Sequence, residues 1–303
     1  MSVALGYYCY LTVRRLPPFF EDHVTRVVYS KIEQVADNSE IEHPSINGCL
    51  RFFSINQGLE IHHDGDLPAR SGIGSSSAFT VGLLNALYAL QEKMVDPKSL
   101  ASDAIDIEQN WLEESVGVQD QIIAAFGGLK VIELGPGPDW KVSPLVLPAD
   151  YVSELSEHIL VGFSGFSRFG EDYAKAQIEN VRKGETTAHL HRVTEIAREG
   201  LSLLIRNAEI KELGWLVDEH WKIKRQLARN LSANWMDELY RVAIENGAYG
   251  GKLMGAGGGG FFFFLAPPDR HRQIRAALSK IKVWVPFKID RDGSRVIAIN
   301  QDH

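Results

Sequence analysis

The stretch Pro68-Ala69-Arg70-Ser71-Gly72-Ile73-Gly74-Ser75-Ser76-Ser77-Ala78 decides how the rest of the chain is read. Gly72 and Gly74 permit positive φ and a close approach of backbone to a ligand. The serines open an apolar run over 75–91, with Val81, Leu84, Leu87 and Leu90 along one side, which predicts a helix. A helix start carries unpartnered amides and the positive end of the macrodipole. Glycine turn and helix start together make a cradle for a polyphosphate, with hydroxyls able to ligate Mg²⁺ or a phosphate oxygen. The plain alternative is a tight turn and a serine N-cap, which need no ligand. A Walker A loop is excluded, because no Gly-Lys-Ser/Thr occurs in the chain.

Working outward, the 303 residues are 45% hydrophobic and 23% charged, an ordinary globular composition long enough for two lobes. The net charge of -7 gives no pull towards nucleic acid or an anionic membrane. Cys9 and Cys49 form no CxxC pair or Cys/His cluster, so neither a disulfide framework nor structural zinc is expected. No apolar run reaches about 18 residues, so no membrane span is expected. The first ten residues have no basic n-region or small-residue cleavage site, which argues against a signal peptide and for a cytoplasmic protein.

Strands are predicted over 7–14, 25–31 and 59–63, then helices over 96–114 and 119–126, and strands over 129–134 and 142–147. A buried-type strand at 159–163 precedes a long helical stretch over about 170–227, broken near Gly184 and Gly214. A helix at 235–246, a strand at 261–265, a helix at 270–281 and a closing hairpin of 283–290 with 295–300 complete the reading. Hairpins outnumber βαβ units, so the fold class is α+β rather than a doubly wound sheet. The expected division is 1–150 and 151–303, with the seam at 148–157.

Two carboxylates stand in unusual places. On the helix over 96–114, Leu100, Ala101, Ala104, Ile105, Trp111 and Leu112 share a face with Glu108 in its middle, while Asp103, Asp106, Glu113 and Glu114 point the other way. A carboxylate on a buried stripe needs a cation, either an Arg or Lys in a buried ion pair or a metal such as Mg²⁺. Asp120, in Gly117-Val118-Gln119-Asp120-Gln121, is either an N-cap or the group that orients or deprotonates a substrate hydroxyl.

A second glycine loop, from Gly247 to Gly260, contains Lys252 and runs into an aromatic strand. A dinucleotide fingerprint needs strand, glycines, then helix, so that reading is rejected. Glycines crowded before a strand suit a chain passing close to a ligand or another backbone.

With these segments in order, the chain resembles the GHMP kinases. Residues 68–79 are similar to the family's second motif, with Ile73 in place of Leu, and 250–261 to its third. Gly117-Val118-Gln119-Asp120-Gln121 with Phe126-Gly127-Gly128 resembles the catalytic-aspartate segment, nearest to the D-glycero-D-manno-heptose 7-phosphate kinases, with fucokinases second. The resemblance implies a two-lobed α+β fold with the active site between the lobes. It implies that Pro68, Arg70, Ser71, Gly72, Ile73, Gly74, Ser75, Ser76 and Ser77 bind ATP, that Ser76 and Glu108 hold Mg²⁺, and that Asp120 is catalytic. Lys252, Gly255, Ala256, Gly257 and Gly258 would line the phosphate cleft, and Gln119 and Arg168 would contact the acceptor, with Lys222 and Lys224 also candidates for a distal phosphate.

The implied function is ATP-dependent transfer to the anomeric hydroxyl of a sugar or sugar phosphate, by a monomer or homodimer that binds neither nucleic acid nor membrane. Two rivals stand beside it: another acceptor such as fucose or galactose, and a non-catalytic sugar or nucleotide sensor on the same fold. The family's first motif, an N-terminal strand followed by Gly-Gly-x-x-Asp, is absent from the sequence. A segment of about 30–40 residues is therefore expected upstream, the size of a strand-loop-helix unit. Without it, poor sugar turnover and pairing through the strand over 8–14 are expected.

Overall fold

The computed structural model describes residues 1–17, 19, 24–69, 71–135, 137, 139–165, 175, 178–184, 186–227, 234–255, 259–281 and 283–299. By contacts the chain divides into two compact units. One comprises Met1, Arg70–Ile73 and Leu145–Lys288; the other Ser2–Ala69, Gly74–Pro144 and Ile289–His303. The phosphate-loop sequence is thus shared, its first glycine grouped with one unit and its second with the other.

The unit containing Gly74 is built on helix α2, Ser75–Leu90. Phe79, Val81, Leu83, Leu84 and Leu87 are all buried, so this helix is apolar on most sides and stands at the centre of a core rather than on its edge. Around it pack α1 (Pro44–Phe52), α3 (Pro97–Asp106), and α4 (Gln119–Phe126). Asp96 caps α3 through the amides of Lys98 and Ser99, with Pro97 at its first position, an N-terminal signature that the sequence shows plainly. A mixed sheet runs in the order β2 (Cys9–Arg15), β5 (Leu59–Gly65), β3 (Thr25–Val28), β4 (Ile32–Val35), in which only β3 and β5 are parallel. A smaller antiparallel sheet joins β1 (Ser2–Val3), β6 (Leu129–Leu134) and β7 (Trp140–Pro144).

The other unit has an antiparallel sheet in the order β11 (Val283–Val285), β8 (Ile159–Phe163), β10 (Phe261–Leu265), β9 (Gly250–Leu253). Strand β10 is Phe-Phe-Phe-Phe-Leu and feeds two cores at once. Phe262 and Phe264 pack with Trp221, Leu239 and Ile274, while Phe263 and Leu265 pack with Tyr151, Leu203 and Leu213. Burial on both faces explains an unbroken apolar run where a half-buried strand would alternate. Helices α5 (Ala149–Glu157), α6 (Thr187–Ile205), α7 (Ile210–Leu227), α8 (Asn234–Glu245) and α9 (His271–Ala277) complete it.

The α+β class holds, and the helix at Gln119–Phe126 and the strands at Leu129–Leu134, Ile159–Phe163 and Phe261–Leu265 have the expected bounds. Four expectations are corrected. The run over 25–31 is the first arm of a hairpin, with β4 the second. The segment over 96–114 leaves α-helical geometry at Ile107 and continues as a π turn, Ile107–Trp111. The closing hairpin does not form among the described residues; Ile289 instead bridges Leu5, and Asp290 exchanges bonds with Ala4 and Gly128.

The fourth correction concerns Gly214, which lies inside α7 instead of breaking it. A Cβ on Gly250 would overlap the Gly214 carbonyl oxygen, and one on Gly214 would overlap Tyr249. The two glycines are there so that helix and strand backbone touch. Gly250→Ala is accordingly expected to destabilise the protein by about 2 kcal/mol, as overpacking does. Urea unfolding should show a lower midpoint at unchanged slope; an unchanged midpoint would show that the contact relaxes freely.

Candidate active site

Gly74 caps α2 with φ 76° and ψ 16°, left-handed geometry that glycine adopts without strain. No side chain caps this end, and the first bond into the helix is from Ala78 N to Gly74 O at 2.9 Å. The amides of Ser75, Ser76 and Ser77 therefore have no acceptor within the helix, and they carry its positive end. Asp120 lies directly against this turn. A Cβ on Gly74 would come 3.1 Å from the Asp120 Cγ and 3.3 Å from its Oδ2. Asp120 is the second residue of α4, inside its first turn, and Val118 occupies the capping position, so the N-cap alternative does not apply. A carboxylate in a first turn is favoured by the helix's own dipole.

Glu108 stands in the π turn with 1% of its surface exposed. Its Oε2 accepts from the Ser77 hydroxyl at 3.0 Å and from the Gln121 side-chain amide. Its Oε1 and the Gln121 Oε1 are buried without a hydrogen-bond partner among the described residues. Burial raises the Glu108 pKa; the Thr80, Gln121 and Ser77 side chains offset part of this, and the nearby Asp120 charge adds to it. Among the described residues no cation acts on it, so the buried ion pair weighed from the sequence is not formed with any of them. An orphaned carboxylate oxygen in such a place is costly. It fits a divalent cation that arrives with phosphate oxygens, as Mg²⁺ does. Among the described residues no group of three or more His, Cys, Asp or Glu holds a metal unaided. The hydroxyl bonded to Glu108 is that of Ser77, whereas Ser76 is exposed.

In the other unit, residues 71–72 lie beside 254–255 and 259–260. Phe261 N donates to Ser71 O at 3.1 Å, and a Cβ on Gly255 would stand 2.7 Å from the Gly72 Cα. Ser71 is fully buried and its Oγ has no partner among the described residues. Ile73 and Ser75 are half-buried, Pro68, Gln119 and Gly255 are exposed, and Lys252 sits half-buried on β9 opposite Phe263. Arg70, Arg168, Ala256, Gly257 and Gly258 lie outside the described residues. Lys222 pairs with Asp218 at 2.6 Å, and Lys224 donates to the Gly255 carbonyl at 2.5 Å. Lys222 is a solvent-exposed charge, whereas Lys224 is half-buried.

Sequence reasoning did not single out Gln121 or Thr80 as partners of Glu108. The signal was weak, because Gln121 is adjacent to Asp120 and a glutamine on a helix has no charge to betray burial. Asp103, expected on the solvated face, is half-buried and accepts the Tyr88 hydroxyl at 2.7 Å.

Comparison with known proteins matches residues 40–128 to "GHMP kinases N terminal domain" and residues 202–282 to "GHMP kinases C terminal". The D-glycero-alpha-D-manno-heptose 7-phosphate kinase of Campylobacter jejuni is 29% identical over 78% of this chain and 69% of its own. The galactokinase of Pyrococcus furiosus is 28% identical over 73% of this chain and 68% of its own. The bifunctional fucokinase/GDP-fucose pyrophosphorylase of Arabidopsis thaliana is 28% identical, and the match spans 20% of that protein. Among solved structures, a D-glycero-D-manno-heptose 1-phosphate kinase from Bacteriodes thetaiotaomicron superposes with a TM-score of 0.74 at 22% identity, covering 96% of this chain and 87% of the other.

The Glu108 environment sets a pH test. A carboxyl whose pKa is raised in the folded state favours folding when protonated; that contribution is complete below the ordinary value of 4.5 and is lost as pH climbs through the folded pKa. Glu108→Gln removes the buried charge, so its melting temperature should exceed wild type at neutral pH, with the gap closing in acid. The same variant should lose Mg²⁺-dependent tightening of ATP binding in calorimetry. A variant less stable at neutral pH with metal dependence intact would show that the ionised carboxylate is structural.

Proposed function

We propose, from the premise that this chain belongs to the GHMP kinase family, that it transfers the terminal phosphate of ATP to the anomeric hydroxyl of a sugar phosphate, D-glycero-D-manno-heptose 7-phosphate. The observation carrying the chemistry is the packing of the Asp120 carboxylate against Gly74, at the unpartnered amide end of α2. The acceptor is supported by the similarity to the Campylobacter heptose 7-phosphate kinase.

Phosphoryl transfer asks a protein for positioning and charge neutralisation more than for covalent help. The amides of Ser75, Ser76 and Ser77 bind phosphate oxygens, and the glycines on either side of Ile73 let the backbone approach them. Glu108, with the serine hydroxyls, would hold Mg²⁺, which would neutralise the phosphate charge. Asp120 orients the acceptor hydroxyl and takes its proton as the oxygen displaces ADP from the γ-phosphorus. The positive end of α2 attracts a carboxylate placed beside it. Ser77 and Gln121 bond to one oxygen of Glu108, and the other, without a partner among the described residues, would be the one to ligate the cation.

A second reading, an unphosphorylated acceptor such as fucose or galactose, is favoured by the fucokinase and galactokinase similarities. A sugar panel under ATP-consumption conditions separates the two. Heptose 7-phosphate should be consumed with ADP release, and ³¹P NMR should show a new anomeric phosphate; preferential use of fucose or galactose would replace the first reading with the second.

Asp120→Asn keeps the shape and removes the charge. Turnover should fall by a factor on the order of 10²–10⁴, the range for a positioned general base, with ATP affinity within a few fold of wild type. Activity within about tenfold of wild type would exclude proton transfer to Asp120, since general-base catalysis is worth more than that.

A further inference from the structure

Gln121 lies on α4 between Asp120 and Ile122 and is fully buried. Its side-chain nitrogen donates to Glu108 Oε2, while its carbonyl oxygen is buried with no hydrogen-bond partner among the described residues. A half-satisfied amide in a core costs more than an apolar side chain of the same size, whose burial is favourable. Packing alone gives no reason for a glutamine here; the bond to Glu108 does.

Glu108 Oε2 receives donors from two different helices, the Ser77 hydroxyl of α2 at 3.0 Å and the Gln121 amide of α4. Two donors converging on one oxygen orient the carboxylate and leave Oε1 for another partner, and none meets it among the described residues. The donors differ in stiffness. A serine hydroxyl turns about its own C–O bond, whereas an amide presents its N–H groups in one plane. Gln121 is therefore the donor that fixes the carboxylate in rotation. It does so from the helix on which Asp120, the preceding residue, packs against Gly74.

We propose that Gln121 is a positioning residue for the cation that accompanies ATP: its amide holds Glu108 Oε2 so that Oε1 is the oxygen presented to the ion. A group that orients a metal ligand from behind governs metal affinity without touching the metal. The proposal rests on Glu108 being a cation ligand, so the experiment must separate the two.

The readout is binding rather than turnover. ATP is titrated calorimetrically into the protein, without any sugar, once with Mg²⁺ and once with EDTA, and the ratio of the two affinities is compared among variants. Gln121→Met keeps the length of the side chain and removes the amide. Its ratio should fall by about tenfold, the loss expected when a partner of a metal ligand is removed, while affinity in EDTA stays within about twofold of wild type. A merely structural role would move both affinities together. The double variant with Glu108→Gln should show a ratio no lower than Glu108→Gln alone, because a residue that acts through Glu108 then has nothing left to orient. Should Gln121→Met fail to fold, Gln121→Asn, one methylene too short to reach, is expected to give the same loss. An unchanged ratio in the variant that folds, an equal loss with and without Mg²⁺, or a further drop in the double variant would each overturn the proposal. A loss in Glu108→Gln without one at position 121 would sink the positioning role alone. No loss in Glu108→Gln would remove the cation reading of Glu108, and Gln121's role with it.

Discussion

The unit that carries α2 is organised around one buried carboxylate. Glu108 takes the Ser77 hydroxyl from the first turn of α2 and the Gln121 amide from α4, and it sits in the π turn that continues α3. Three elements are thereby pinned at one point, and the pinning is only half complete, because the second oxygen is left without a partner among the described residues. An apolar residue here would pack more cheaply. In the proposed function, what the charge offers instead is a ligand oxygen beside the amide end of α2, held in place before a nucleotide arrives. Preorganisation of this kind is what phosphoryl transfer draws on, since the reaction needs fixed charges more than reactive groups.

Leu112 N bonds to Ile107 O at 2.9 Å, a five-residue step that widens the helix by one residue. A Cβ on Gly48 would stand 3.1 Å from Leu112 and 3.3 Å from Ile107, so α1 already lies close against this turn. The widened turn lets Ile107 fill the core while the next residue, Glu108, is also fully enclosed. Two consecutive buried residues, one apolar and one charged, are a local conflict of the kind that functional sites retain at the expense of stability.

In the other unit the constraint is backbone proximity. Residues 71–72 can lie beside 255 and 260, and α7 can rest on β9, only because no Cβ intervenes. On the same helix, Lys224 donates to the carbonyls of Leu253 and Gly255 and so ties α7 to the end of β9.

Much of this was legible in the sequence, and the limit falls at a definite physical boundary. Periodicity of 3.6 placed Glu108 on an apolar stripe, and the glycine-serine pattern marked Gly74 as the start of α2; both are local properties, carried by residues within a turn or two. The bounds of α4, β6, β8 and β10 followed for the same reason. The order of the three motifs sufficed to place the chain among the GHMP kinases. Which serine meets Glu108, that Gln121 holds it, that Gly214 sits inside a helix, and that residues 289–290 bond to the chain's first residues were decided by tertiary structure. Each depends on how closely two elements approach, and that distance is set by side chains remote in sequence whose pairing no local pattern records.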